Sequence, residues 1–241
     1  MAKLTSHKVL SFDVYGTLID WESGIVTALS HGYSDLKTPR VEILHAFHNL
    51  EKETQSRHSN LPYSHLLAKL HPALASQLNL SPPSEAASQQ FGESVGSWPA
   101  FPDTVAALHR LQDHFKLVVL SNTDRASFAA TNDTQLPGVV FDAVFTAQDI
   151  GSYKPDGRNF EFLVGYAREN WGVGKDELLQ TAQSQFHDHY PAKEMGIRSA
   201  WIVRPGAVMG EQGEKGEEIW DWKFDTLEEM ADAVDNEASS M

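Results

Sequence analysis

Short apolar runs that end in polar residues, alternating with helical patterns, most constrain the fold of this chain. The first run, Val9 to Phe12, stops at Asp13, and buried parallel strands have this near-continuous apolar composition. Later runs of this kind are Phe115 to Leu120, Ala143 to Thr146, Leu178 to Ala182 and Ala200 to Val203. Because strands that alternate with helices form right-handed parallel crossovers, the sequence predicts an α/β fold with a doubly wound, Rossmann-like parallel sheet.

Only helical patterns occur between the first and second apolar runs. The predicted helices are Gly24 to Leu36, a segment with Ile43, Phe47 and Leu50 at helical spacing, Tyr63 to Leu78, and Ala86 to Val95. We therefore expect residues 20–98 to form an inserted all-helical bundle, and residues 1–19 and 99–241 to form the sheet domain. The charged, glycine-containing stretch from 211 to 218 is predicted to be a loop, and residues 235–241 to be frayed.

Composition excludes several classes of function. The 241 residues carry a formal net charge of −14 and no basic run, which argues against a nucleic-acid or anionic-membrane partner. The chain has no cysteine, so disulfides, thiolate metal sites and thiol catalysis are excluded. No stretch approaches the roughly 18 apolar residues of a spanning helix, so the expected location is cytoplasmic.

The first strand delivers a carboxylate, Asp13, to the edge of the sheet where ligands bind in open α/β folds. A partly desolvated aspartate beside a cation can attack an electrophilic carbon or phosphorus and form an ester or an acyl phosphate. Gly16 allows a sharp turn beside it, and the Thr17 hydroxyl can hydrogen-bond the carboxylate or a bound anion. An ordinary strand ending in a turn is the alternative interpretation of this motif by itself.

Further polar residues follow the other predicted strands, so the fold should bring them to the same crevice as Asp13. Ser121 and Asn122 offer neutral donors to anionic oxygens, and Lys154 can hold Asp13 ionised. Asp188 can position or deprotonate a water that hydrolyses a covalent intermediate.

These motifs resemble those of the haloacid dehalogenase-like hydrolase superfamily. The residues that carry the resemblance are Asp13-Val-Tyr15-Gly16-Thr17, Ser121-Asn122, Lys154-Pro155-Asp156 and Asp188, in the family's order and spacing. The resemblance covers nearly the whole chain, and the helical insertion lies where the family carries a cap domain. It implies catalytic roles for Asp13, Thr17, Ser121, Lys154 and Asp188.

Two departures indicate a branch of the superfamily. Magnesium-dependent phosphatases carry a second aspartate two residues after the nucleophile, where this chain has Tyr15, and a metal-binding aspartate where it has Gln183. Tyr15 is similar to the 2-haloacid dehalogenase branch, whose chemistry needs no metal or other cofactor. The resemblance implies that Asp13 displaces halide from the α-carbon of a short 2-haloalkanoic acid, and that water then cleaves the resulting ester.

The same resemblance implies a set of substrate-binding residues. They are Val14, Tyr15, His48, Asn122, Phe160 and Gln185. His48 stands where the family's cap presents an arginine toward the halide, and Arg40 competes for that place. Gln183 and Gln185 are longer than the family's residues and would narrow the pocket, and Phe160 replaces a tyrosine. The expected partners are a small-molecule carboxylate and water, with a homodimer open because family members are often dimers.

Other interpretations stay open. A magnesium-dependent phosphatase or another hydrolase on this scaffold is the first alternative, and a non-catalytic member of the family is the second. His187, Asp188 and His189 form a weaker candidate for a metal site. Trp21 and Trp98, at the two ends of the insertion, could line a substrate entrance or pack against the core.

Overall fold

A computed structural model of the chain describes residues 3–34, 36–58, 61–209 and 218–240. It divides into two compact units. The first consists of Met1–Ile19, Ala100–Asn122 and Leu136–Met241, and the second of Asp20–Pro99 and Thr123–Gln135. Of the charged loop predicted from 211 to 218, all but Glu218 lies outside the described residues.

The first unit is built on a parallel sheet, as the sequence predicts. Its strands are β1 (Val9–Phe12), β2 (Lys116–Ser121), β3 (Ala143–Thr146), β4 (Leu178–Ala182), β5 (Arg198–Ile202) and β6 (Trp222–Phe224). They form a six-stranded sheet in the order β3-β2-β1-β4-β5-β6, with every neighbouring pair parallel. This confirms the doubly wound α/β fold, and it adds β6, which the sequence analysis did not predict.

The strand order reverses at β1, and this reversal determines where a ligand can bind. From β1 the chain builds outward through β2 and β3, and then returns to build β4, β5 and β6 on the other side. Connections on the two sides of such a point leave in opposite directions and open a crevice at the carboxyl ends of the strands. Asp13 directly follows β1 and therefore lies at this crevice, where its N–H donates to Thr181 O at 3.1 Å.

The helices account for most of the remaining residues. They are α1 (Trp21–Gly32), α2 (Arg40–Arg57), α3 (Tyr63–Gln77), α4 (Glu85–Glu93), α5 (Thr104–Leu111), α6 (Arg125–Gln135), α7 (Ala147–Ile150), α8 (Arg158–Trp171), α9 (Tyr190–Glu194) and α10 (Leu227–Ala238). No helix in the described ranges has both the length and the apolar character needed to span a membrane.

The helical unit contains α1 to α4 and also α6, which lies outside the insertion proposed from the sequence for residues 20–98. One contact just before α6 and one in its middle explain this grouping. The Asp124 carboxylate accepts the N–H of Tyr63 at the start of α3 at 2.6 Å. The Thr131 hydroxyl donates to Val95 O at 3.3 Å. The boundary therefore runs through the segment that follows β2.

Trp98 packs inside the helical unit, with 1% of its surface exposed. A Cβ atom added at Gly24 would lie 2.3 Å from the Trp98 ring, so only glycine fits at that position of α1. Trp21 packs at 5.6 Å from the ring of Phe47. Both contacts support the packing interpretation of the two tryptophans.

A buried ion pair joins Arg204, which follows β5, to Asp103, which precedes α5. Arg204 is 3% exposed; its Nη1 donates to both carboxylate oxygens of Asp103, at 2.6 and 2.8 Å. Its Nε donates to Thr17 O at 2.9 Å. Removing one partner of such a pair leaves an uncompensated buried charge, which makes the contact important for the shape of the Asp13 turn.

Two local predictions made from the sequence are wrong in this region. Its position before the helical pattern of Val105, Leu108 and Leu111 predicts that Asp103 caps that helix. Asp103 does precede α5, but its side chain makes no capping hydrogen bond there and instead accepts the N–H of Leu227 at the start of α10, at 2.8 Å. The terminal segment predicted to be frayed from 235 begins inside α10. There Asp235 accepts from Arg110 Nη2 at 2.6 Å. In both cases a partner distant in sequence overrides the local signal.

Candidate active site

The turn after β1 fixes the Asp13 carboxylate from one side. Gly16 has a φ of 97°, a conformation that a residue with a Cβ rarely adopts. The turn places Thr17 so that its Oγ1 accepts the N–H of Gln183 at 3.0 Å and donates to Asp13 Oδ2 at 2.9 Å. Because Oγ1 accepts the Gln183 N–H, its own proton is left to point at Asp13.

Lys154 fixes Asp13 from the other side. Its ammonium group donates to Asp13 Oδ1 at 2.9 Å, to Asp188 Oδ1 at 2.6 Å and to Leu120 O at 2.8 Å. These contacts use all three N–H groups of a lysine. The structure therefore brings Asp13, Lys154 and Asp188 together. In the sequence, Lys154 lies 141 positions from Asp13 and 34 positions from Asp188.

Asn122 holds the backbone of Lys154 in place. Its side-chain oxygen accepts the Lys154 N–H at 2.6 Å, and its Nδ2 donates to Lys154 O at 2.9 Å. From its position in the motif, the Asn122 amide is predicted to contact the halide or the carboxylate of a substrate. The structure instead gives it a positioning role, and contact with substrate stays a prediction.

Asp188 lies in a turn of π-helix, Gln185–His189, that follows β4. Such turns occur frequently at functional sites. Asp188 Oδ1 accepts from Lys154 and also from Gln180 Nε2, the latter at 2.8 Å. The other oxygen, Oδ2, is buried and has no hydrogen-bond partner among the described residues. This carboxylate is therefore held by one oxygen only.

The electrostatics of the site follow from two carboxylates that share one ammonium group. Burial raises the pKa of Asp188 to about 7; the Asp13 charge adds to this rise, and Lys154 opposes it. Burial lowers the pKa of Lys154, but Asp13 and Asp188 more than offset this effect, so the net pKa is raised. Lys154 therefore stays charged, while Asp188 titrates within the physiological range.

Accessibility distinguishes the three charged groups. The side chain of Asp13 is 11% exposed, against 1% for Lys154 and 0% for Asp188. Asp13 is therefore the group of the three that a substrate can reach directly. Lys154 and Asp188 act on Asp13, or on a molecule bound to it, from the buried side of the carboxylate.

Ser121, Val14 and Tyr15 lie close to Asp13 along the strand ends. Ser121 is the last residue of β2 and is buried, in register with Thr146 of β3. The carbonyl of Val14 closes the turn by accepting from Leu18 N at 2.7 Å, and its side chain is fully buried. Tyr15 is partly exposed at the start of this turn. Their predicted roles toward substrate stay predictions.

Two of the predicted substrate contacts have buried positions. Phe160, the third residue of α8, is 0% exposed and belongs to an apolar cluster with Val9, Leu120 and Leu178. The ring therefore packs in an apolar cluster of the sheet unit, and its predicted substrate contact stays a prediction. Gln185 is 7% exposed and begins the π-helical turn that carries Asp188, and its predicted contact stays open.

His48 and Arg40 both lie on α2 in the helical unit. Arg40 Nη2 pairs with Glu22 Oε2 at 2.8 Å, and the Glu22 side chain is only 5% exposed, so Arg40 has a structural task within that unit. His48 is half-buried; burial first, and then Lys52 and His45, lower its pKa. A neutral imidazole offers a single N–H, so a halide contact by His48 would be weaker than one by an arginine.

The weaker metal hypothesis at His187, Asp188 and His189 gains no support from the geometry. Both ring nitrogens of His189 are engaged, Nδ1 with Ser199 Oγ at 2.8 Å and Nε2 with Ala182 O at 2.9 Å. Burial lowers the pKa of His189 to about 4, so the ring is neutral. Within the described ranges, no group of three or more His, Asp or Glu side chains could hold a metal ion.

Sequence reasoning missed two residues that shape this site, Gln180 and Arg204. Gln180 contacts Asp188, and Arg204 contacts the Thr17 carbonyl. A signal was present for the first, since a polar amide in a fully buried strand must find a hydrogen-bond partner. No local signal marks Arg204, because its partners lie about a hundred or more positions away.

A family model described as haloacid dehalogenase-like hydrolase matches residues 7–179. The chain belongs to this family of hydrolases. No curated protein matches the chain significantly.

Solved structures with similar folds cover nearly the whole chain. One is an L-2-haloacid dehalogenase that is 25% identical, with a TM-score of 0.76 over 95% of this chain and 99% of that one. Another is the L-2-haloacid dehalogenase of Xanthobacter autotrophicus with chloropropionic acid covalently bound, at 21% identity and a TM-score of 0.74, over 95% and 98%. A third is a putative hydrolase of the same family from Bacillus subtilis, bound to magnesium, at 15% identity and 0.72, over 95% and 99%.

Proposed function

We propose that this protein is a metal-independent hydrolase that converts short 2-haloalkanoic acids to 2-hydroxyalkanoic acids through an ester on Asp13. One observation carries the proposal. The most accessible carboxylate of the cluster accepts hydrogen bonds from Lys154 and Thr17, and the residue two positions further on is Tyr15 rather than a carboxylic acid. A phenol is a poor proton donor at neutral pH, so the site suits a leaving group that needs no proton, such as halide.

The proposed reaction has two steps. In the first, a carboxylate oxygen of Asp13 attacks the α-carbon, and the carbon–halogen bond breaks with its electron pair leaving as halide. In the second, a water molecule gives a proton to Asp188 and attacks the carbonyl carbon of the Asp13 ester. The bond from that carbon to the ester oxygen, which came from Asp13, then breaks, and this oxygen takes the remaining proton of the attacking water and leaves as the hydroxyl of the hydroxy acid. Asp13 keeps the water oxygen in its restored carboxylate, and Asp188 releases its proton to solvent.

Lys154 contributes to both steps as a fixed positive charge. In the first step it offsets negative charge of Asp13, which lowers the repulsion between Asp13 and an anionic substrate. In the second step it lies 2.6 Å from Asp188 and balances the negative charge that develops on the ester. Because burial fixes the ammonium group before substrate binds, little reorganisation is needed during the reaction.

The magnesium-dependent alternative has weaker support from the site. Gln183 stands where phosphatases of the superfamily carry a metal-binding aspartate. Its Nε2 donates to Met209 O at 2.8 Å, so the amide is already engaged. Magnesium prefers carboxylate oxygens and water, and an amide lowers the negative charge available to it.

The first test is halide release by the wild-type protein from 2-chloro- and 2-bromopropionate, with a chelator present and each enantiomer assayed separately. We expect release of halide and formation of an equal amount of 2-hydroxypropionate, with no loss of rate in the chelator. Failure to release halide from either enantiomer by folded protein would contradict the proposal. Phosphate release from phosphate esters that depends on added magnesium would favour the alternative.

The titration of Asp188 predicts a pH dependence of the second step. Burial raises the folded-state pKa of Asp188 to about 7, and only the ionised carboxylate can accept a proton from water. Ester hydrolysis should therefore rise with pH and level off, with a midpoint somewhat below 7, because the esterified Asp13 no longer adds its charge to the rise in the pKa of Asp188. The plateau should persist at higher pH because the pKa of Lys154 is raised and the lysine stays protonated. Single-turnover hydrolysis rates between pH 5 and 9 check this. A limb centred near 4, or one that persists in Asp188→Asn, would refute the assignment.

A further inference from the structure

Two polar residues in the middle of the sheet have no place in the mechanism so far. Ser11 in β1 and Gln180 in β4 are both 0% exposed, and they are direct neighbours in the register of the two strands. Burying an amide and a hydroxyl in a sheet is unfavourable unless both are hydrogen-bonded. The residues that precede them in the two strands, Leu10 and Leu179, are apolar.

The contacts of this pair lead to the active site. The Ser11 hydroxyl donates to Gln180 Oε1, which orients the amide so that Nε2 points the other way. Nε2 donates to Asp188 Oδ1 at 2.8 Å, the same oxygen that accepts from Lys154. The donors of Gln180 and Lys154 thus converge on one oxygen, and Oδ2 stays without a partner among the described residues.

We propose that Ser11 and Gln180 form a positioning relay that holds Asp188 by Oδ1 and leaves Oδ2 to accept the proton of the water that cleaves the Asp13 ester. The second half of this inference rests on the proposed function. Gln180 contacts neither substrate nor the reacting atoms, so it acts through Asp188 alone. The relay predicts a defect confined to ester hydrolysis.

The other groups around Asp188 define what the relay adds. Lys154 and Asp13 face it from the neighbouring loops, with charges of opposite sign. His187 and His189 lie on its own turn, and the buried His189 ring is turned away to Ser199 and Ala182. The Gln180 N–H donates to the carboxylate without adding charge, and so favours the ionised form of Asp188.

The main test is Gln180→Met, which keeps most of the side-chain volume and removes the donor. A lost hydrogen bond to a charged group should slow ester hydrolysis by about 10- to 100-fold. Halide release in the first turnover should stay close to the wild-type rate, because Asp13 and Lys154 keep their contacts. Rapid-quench assays with 2-chloropropionate should therefore show a burst of about one halide per active site, followed by slow turnover.

Two variants separate positioning from damage to the sheet. Thr181→Val changes the next residue of β4, which is also buried and whose hydroxyl has no partner within the described part of the chain; it should behave like the wild type. Ser11→Ala frees the Gln180 amide without removing it and should give a smaller defect of the same kind. Ser11→Ala also replaces Gln180→Met as the test of the relay if Gln180→Met does not fold. If Gln180→Met slowed halide release and ester hydrolysis equally, while Thr181→Val kept the wild-type rates, the relay would be overturned.

A titration that needs no substrate distinguishes failure of the relay from failure of the proposed function. Carbon-13 NMR of aspartate-labelled protein, with Asp188→Asn for assignment, should give a higher pKa for Asp188 in Gln180→Met than in the wild type. An unchanged pKa would overturn the relay. If the wild-type protein releases no halide, the proposed function fails, and with it the hydrolytic part of the inference; the titration still decides whether Gln180 controls Asp188.

Discussion

Replacing Asp13 with asparagine is expected to abolish halide release from 2-haloalkanoic acids, with a loss in rate of about 10³-fold or more. The amide is nearly the same size as the carboxylate and can still accept from Thr17, but it is not a nucleophile at carbon. Lys154 keeps its contacts with Asp188 and Leu120 O in this variant. We therefore expect the protein to stay folded, and circular dichroism with thermal melting provides that control.

A covalent adduct gives the sharpest form of this test. In Asp188→Asn the ester should form and persist, so mass spectrometry of protein mixed with 2-chloropropionate should show the mass of one added propionate group. Peptide analysis should place that mass on Asp13. The double variant with Asp13→Asn should show no adduct. An adduct on another residue, or unchanged halide release by Asp13→Asn, would contradict the assignment of the nucleophile.

Replacing Lys154 with methionine is expected to remove activity and also to destabilise the fold. The side chain is 1% exposed and pairs with two carboxylates, so its removal leaves buried negative charges without a counterion. Breaking such a pair lowers the free energy of unfolding by about 3–5 kcal/mol. Halide release should fall with it, because nothing then offsets the repulsion between Asp13 and an anionic substrate. Urea denaturation at neutral pH measures the stability, and halide assays below the transition measure the activity.

The pH dependence of the Lys154→Met variant is a second signature. In the wild type, Lys154 lowers the pKa of Asp188 against the effects of burial and Asp13. Without it the folded-state pKa of Asp188 rises further above its unfolded value. Folding then favours the protonated acid, so the variant should be closest to wild-type stability at acidic pH and lose stability as the pH rises.

Lys116→Met is the matched control for charge removal. Lys116 pairs with Asp142 at 2.7 Å, but both side chains are partly exposed, at 43% and 32%. An exposed pair contributes at most about 1 kcal/mol. If Lys116→Met and Lys154→Met lowered stability equally, the buried cluster would not have the importance assigned to it here.

Much of the fold was predictable from residue patterns alone. Two of the predicted strands match the observed ones to within a residue or two, and three match to the residue: Val9 to Phe12, Ala143 to Thr146 and Leu178 to Ala182. An apolar run bounded by polar residues is a local property, and the alternation of strands and helices determines that the strands are parallel. The meeting of Asp13, Lys154 and Asp188 follows from that topology, because each residue follows a strand of one sheet.

The detailed hydrogen bonding of the site was not predictable in the same way. Asn122 holds the Lys154 backbone, a contact that its motif does not predict. Phe160 packs in an apolar cluster, which its motif does not predict either. Position in a motif does not define which way a side chain turns or which neighbour reaches it first.

The sequence by itself determined the class of fold, the order of its strands along the chain and the residues carried to one edge of the sheet. These properties depend on the periodicity of short segments, which is local, and on the order of the segments along the chain. Only the tertiary structure decided that Gln180 reaches Asp188, that Arg204 supports Thr17 and that α6 joins the helical unit. Such pairings depend on which polar groups become buried together, and a buried polar group takes the partner that the fold brings within about 3 Å.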